Sequence, residues 1–326
     1  MPTWGEIGAE LAQSAPANNG VADYDGVRRK YLGALSGYTG RNTILYASRW
    51  TQGSVSDPSA VSIGPEDMQA FMEVVHGLSR TDGLDLILHS PGGSPEAAES
   101  IVNYLRSKFD SIRVIVPMSA MSAATMLSCA ADEIIMGLHS SLGPIDPQMI
   151  MVGAGGVTTV APAQAILDQF QLALEDCEDP KKLGAWLPIL PQYGPALLVQ
   201  CDEALDLAER LVADWLARWM LPSGPRSKRK ATRIAKALAD HGKFKSHGRP
   251  IHFDAAKRLG LRVTPLEADQ QLQDLVLSVF HAATHVFSVS PVPAKIVENQ
   301  LGRAFVKNQR VAFAQPIFQA QPPATP

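Results

Sequence analysis

Residues 84–148 read LDLILHSPGGSPEAAESIVNYLRSKFDSIRVIVPMSAMSAATMLSCAADEIIMGLHSSLGPIDPQ, and the fold is decided there. Leu84 to His89 is an apolar run stopped by Ser90-Pro91-Gly92-Gly93, the pattern of a strand ending in a turn. Two adjacent glycines reach backbone conformations closed to other residues and leave amide N–H groups uncovered. Ser94-Pro95-Glu96 supplies an N-cap, a first-turn proline and an acidic first turn. The helix it opens has an apolar face of Ala97, Ala98, Ile101, Val102 and Leu105. Ile112 to Val116 predicts a second strand. The small-residue turn Met118 to Thr125, carrying Ser122, leads into a buried helix and a third strand.

Outward from this stretch, Thr43 to Ser48 reads as a strand and Ile63 to Leu78 as an amphipathic helix, with Met68, Phe71, Met72, Val75 and Leu78 at helical spacing. Strand and helix alternate from 43 to 136, which predicts an α/β fold with a mostly parallel sheet and flanking helices. Residues 152–162 are rich in Gly, Thr and Val and suit a mobile segment or a β-hairpin. Helices are expected over 163–174, 197–221 and 266–287, and 251–263 reads as a helix closed by Gly260 and followed by a strand. The expected organisation is an N-terminal helical arm (1–40), a catalytic domain (41–265), a C-terminal helical extension (266–310) and a Pro/Gln/Ala-rich disordered tail (311–326).

The 326 residues are 46% apolar and 19% charged, the balance of a folded protein. A net charge of −3 gives no whole-chain attraction to nucleic acid or membrane. The basic run Arg226 to Lys230 has no interleaved aromatics and reads as a solvated helix start rather than a nucleic-acid patch. Three cysteines without metal spacing point to reduced thiols. The uncharged windows 114–131 and 148–167 are interrupted by Pro, Ser, Thr and Gly, so no membrane span is expected. Met1 to Glu6 lacks a basic start followed by an apolar block. A cytoplasmic protein is the expectation.

Ser-Pro-Gly-Gly at 90–93, the Ser-Ala-Ala turn at 122–124, Ala-Asp-Glu-Ile at 131–134 and Leu-Gly-Pro-Ile-Asp-Pro-Gln at 142–148 together resemble the Clp protease/signal-peptide-peptidase/crotonase-like superfamily. Within it the chain is most similar to the serine dehydrogenase proteinase family, from about Arg41 to Val306. The similarity takes in Ser246-His247-Gly248-Arg249-Pro250-Ile251 and Lys295-Ile296-Val297-Glu298-Asn299. It implies a Clp/crotonase-like fold, a serine peptidase acting on polypeptides without cofactor or metal, and a homo-oligomer such as a trimer or hexamer.

On that resemblance Ser122 is the candidate nucleophile. A serine hydroxyl needs a base within hydrogen-bond reach, a third group to orient the base, and amide donors for the oxyanion. Gly92, Gly93 and Ala123 are the candidate donors. Clp-type proteases carry a histidine after the strand that follows the nucleophile helix, and an aspartate later in the chain. Here the first position holds Asp146 and the second His247, which implies that the two roles have changed places. A turn role for Asp146 before Pro147 and a loop hydrogen bond for His247 are the plainer alternatives. His139, or a lysine (Lys243, Lys245, Lys181, Lys182) in a Ser–Lys dyad, would be the rival base. Ser119 is the competing nucleophile, and His89, His281 and His285 read as packing residues. A crotonase-like acyl-CoA enzyme would use the same amides without Ser122, and an inactive scaffold would use neither.

Overall fold

The computed structural model describes residues 3–53, 55, 57–152, 156 and 158–309. Seven strands form the central sheet in the order Val263–Pro265, Glu133–Met136, Ile112–Val116, Leu84–His89, Asn42–Ser48, Pro293–Asn299 and Ala304–Asn308. Neighbours among the first five run parallel, and the last two join antiparallel at one edge. The fold is therefore α/β with a mostly parallel sheet, in line with the reading of residues 43–136.

Side chains alternate across the sheet, and both faces are covered. Ile44, Leu86, Val114 and Ile134 share one face with helices Pro95–Arg106, Ala123–Cys129, Leu197–Trp215 and Pro225–Ala239. Leu45, Ile87, Ile115, Ile135 and Ile296 share the other with Tyr24–Thr39 and Gln270–Val289. Burial on both sides is why these strands appear in the sequence as unbroken apolar runs. Gln270–Val289 is long and apolar enough to cross a bilayer, but 67% of its most apolar window is buried inside the protein.

Two expectations are corrected. The 266–310 segment is not a helical extension, because Pro293–Asn299 pairs with Asn42–Ser48 inside the sheet. Its polar side chains alternate with the pleat: Lys295 and Asn299 reach Asp67 and Val74 O on one face, while Glu298 meets Arg28 and Arg29 on the other. Residues 1–40 carry the α-helices Trp4–Ser14 and Tyr24–Thr39, packed on the rest of the protein. Ile7, Leu11 and Val27 pack with Ala282, and Leu32 and Leu35 with Leu272 and Val276. Finally, the helix expected from Ile63 runs only from Asp67 to Val75, since Ile63 is extended and bridges to Gly93. The 152–162 stretch contributes to a hairpin, Gln148–Val152 against Thr158–Pro162. The tail proposed for 311–326 lies outside the described residues.

Candidate active site

The parallel strands Leu84–His89 and Ile112–Val116 end side by side, so the double-glycine turn and the Ser122 turn leave the sheet together. Two backbone hydrogen bonds join the turns, Ser90 N–H to Ser119 O (3.1 Å) and Met121 N–H to Ser90 O (3.0 Å). A Cβ on Gly92 would stand 2.5 Å from Met121 O and 2.6 Å from Ser122 Cβ, closer than atoms pack. Gly92 also has φ +99°, a region that side chains disfavour. Only glycine lets the two turns meet.

Ser122 has φ 51° and ψ −121°, an uncommon backbone for a residue with a side chain. It precedes helix Ala123–Cys129 without capping it through its hydroxyl, so a capping role does not explain it. Ser119, the competitor, hydrogen-bonds Ser141 at 3.2 Å, and Ser128 bonds Ala124 O within the helix. Thr125 braces the turn by donating to Ala120 O (2.7 Å) and accepting from Gly143 N–H (2.9 Å).

The three candidate amides differ in what they do. Gly92 N–H donates to Ser90 Oγ at 3.2 Å, so this residue serves by lacking a side chain rather than by offering a donor. That narrows the set inferred from sequence. Ile63 N–H donates to Gly92 O (2.7 Å) and Ile63 O accepts from Ser94 N–H (2.9 Å). Alternation along extended backbone then turns the Gly93 N–H away from Ile63. Ala123, first in its helix, has an N–H with no acceptor in the preceding turn.

His247 and Asp146 are brought together, Nδ1 to Oδ1 at 2.7 Å. Asp146 is 1% exposed and also faces His241 Nδ1 (3.1 Å) and Gln148 Nε2 (3.1 Å) at Oδ2. An ionised carboxylate only accepts, so each histidine donates from Nδ1, which leaves Nε2 of a neutral ring as an acceptor. A small three-stranded sheet makes the encounter. Ser119–Ala120 pairs with Ser141–Leu142, which pairs with Ile251–His252. Ser122, Asp146 and His247 each lie within a few residues of one of these strands. Gly93, Ser122, Ala123, Met126, Ile145 and His247 all line one cavity of about 820 Å³.

The rival bases lie elsewhere. His139 faces Pro117 O at 2.9 Å and lines no part of this cavity. Lys182 pairs with Asp176, and Lys243 sits by the Phe244 ring. Buried His89 bonds Thr51 Oγ1 and Ser119 O (3.1 Å each), and burial lowers its pKa to about 4. Burial raises the Cys129 thiol to about 12. His285 stacks on Trp4 and bonds its carbonyl. Sequence reasoning missed His241 and Ile63, because nothing local in their surroundings marks a contact with residues so far away along the chain, and it missed Gln148, whose bond to nearby Asp146 depends on the local turn.

Residues 61–177 match the family model of ClpP-like SDH-type serine proteinases. Two uncharacterized proteins of Methanocaldococcus jannaschii are similar, one 30% identical over 198 residues and the other 37% identical over 84. These alignments cover 61% and 26% of this chain, and the chain spans 59% and 29% of those relatives. Among solved structures, a mutant form of the 1510-N membrane-bound stomatin-specific protease aligns over 56% of this chain and 63% of its own. Its TM-score is 0.31 and its identity 15%.

Proposed function

We propose, from the match of residues 61–177 to the ClpP-like SDH-type serine proteinase family model, that the chain cleaves peptide bonds through an acyl-enzyme on Ser122. The observation that carries this reading is the shared cavity: strained Ser122 and His247 line it together, and His247 rests 2.7 Å from buried Asp146.

In this reading His247 Nε2 takes the proton from Ser122 Oγ as the oxygen adds to the scissile carbonyl carbon. Asp146 holds the ring in the required tautomer and stabilises the imidazolium that forms. The N–H groups of Gly93 and Ala123 receive the developing oxyanion, with Gly92 as the gap that lets the two turns close. The tetrahedral adduct collapses, and His247 returns the proton to the departing amine. Water then enters by the same route and releases the acid product. The apolar side chains of Met126 and Ile145 lower the local dielectric around these donors and strengthen their pull.

Labelling with a fluorophosphonate tests the reading. The parent protein is expected to be labelled at Ser122 and to cleave casein or short peptides, and Ser122→Ala to lose both. Labelling that survives Ser122→Ala removes the assignment. Retention on a CoA resin with no labelling would favour acyl-CoA chemistry instead.

A further inference from the structure

Ile63 backs the oxyanion side of the site, and a buried ion pair holds it from behind. Lys295 is 0% exposed, as is Asp67. Lys295 Nζ lies 2.7 Å from each Asp67 carboxylate oxygen and donates to Ser62 O at 2.8 Å. Asp67 Oδ2 accepts from Gly64 N–H (2.9 Å) and from the Tyr46 hydroxyl (2.9 Å). The residues on both sides of Ile63 are thus tied to one ion pair, Ser62 through the lysine and Gly64 through the aspartate. Ile63 in turn makes two bonds that flank Gly93, to Gly92 O and from Ser94 N–H.

We propose that Lys295 and Asp67 are positioning residues that set the Gly93 N–H of the oxyanion hole, acting through Ser62, Gly64 and Ile63. Neither residue lines the catalytic cavity. The proposal rests on the peptidase reading, since it assigns the Gly93 N–H to the oxyanion. Its physical basis is directional. Apolar residues of similar volume often serve stability as well as a buried ion pair does. They make no hydrogen bonds, however, and would leave the 62–64 backbone free to slide along the double-glycine turn. Each Nζ proton here has an acceptor and each side of Ile63 a tether, so the segment has one register. A displacement of about 1 Å at a catalytic donor lowers a rate by roughly 10²-fold.

The double variant Lys295→Met/Asp67→Leu removes both charges together and avoids an unpaired buried ion; its fold is checked by circular dichroism and thermal melting. Amide exchange at Ile63 and Ser94 is expected to quicken at least about tenfold as local opening becomes easier. A peptide aldehyde, which adds to Ser122 and places an oxyanion in the hole, is expected to bind about 10–100-fold more weakly. The corresponding peptide alcohol, which forms no adduct, is expected to bind within about twofold of its parent affinity. Aldehyde affinity that does not change, exchange that does not change, or equal weakening of both ligands overturns the proposal. A parent protein that forms no aldehyde adduct overturns the peptidase reading and this proposal with it. Adduct formation insensitive to the double substitution overturns this proposal alone.

Discussion

The Ser122 half of the candidate site, Ser90 to Ala123, is made of backbone, whereas the Asp146 half, with His241 and His247, is made of side chains. In the first half the decisive contacts are two inter-turn backbone hydrogen bonds and the bare α-carbon of Gly92 against Met121 and Ser122. In the second they are imidazole–carboxylate bonds between residues 101 and 95 apart in sequence. Backbone geometry is fixed by the register of adjacent strands and tolerates no added atom. Side-chain geometry is held by several partners on one carboxylate, so the effect of losing a partner depends on which one it is.

The sharpest test of the second half is Asp146→Asn. Its amide cannot accept from both histidines, and the change should lower kcat by roughly 10²–10⁴ while leaving the melting temperature near that of the parent. Steady-state kinetics on a peptide substrate check this, and a change under about threefold would detach Asp146 from the reaction. On the backbone side, Gly92→Ala drives a Cβ into Met121 O and into Ser122 itself, at a positive φ. The expected loss of fluorophosphonate labelling is about 10²–10³-fold, the scale of losing an oxyanion donor. Parent-like labelling would show that the turns need not touch.

His241→Ala separates the two imidazoles on Asp146. His241 does not line the cavity, so a fall in kcat within about tenfold is expected, through a less firmly held carboxylate. A fall as large as that of His247→Ala would mean that the two histidines have been assigned the wrong way round. The smallest effect concerns stability rather than rate. Burial lowers the His89 pKa from 6.5 to about 4, so on acidification the unfolded chain takes up this proton first. The contribution of neutral His89 is whole above about pH 6.5, declines as pH falls, and is spent near pH 4, about 3 kcal/mol in all. Urea titrations at pH 7.5 and 4.5 should show a smaller loss of stability for His89→Gln than for the parent; equal losses would mean that His89 does not carry the effect.

The sheet was legible because its strands are buried on both faces, which leaves apolar runs between helix caps and glycine turns. The C-terminal segment was misjudged for a related reason. Lys295, Glu298 and Asn299 interrupt an apolar strand pattern, and only the helices on the two faces explain them, through Asp67, Arg28 and Val74. Likewise Gly64-Pro65 gave no sign that Ile63 would lie extended against Gly93, because that bridge belongs to a pair of segments some thirty residues apart.

Alone, the sequence determined the strand–helix alternation and the two small-residue turns, since caps, glycines and apolar period act over a few residues. It also placed an aspartate and a histidine at the positions now in contact, though by resemblance rather than by any local signal. Tertiary structure alone decided that the Gly92 N–H is already bonded to Ser90, that a second histidine shares Asp146, and that Lys295 and Asp67 hold the residues on both sides of Ile63. Those facts depend on strand order and register, which bring distant residues within hydrogen-bond reach and leave no trace in the spacing along the chain.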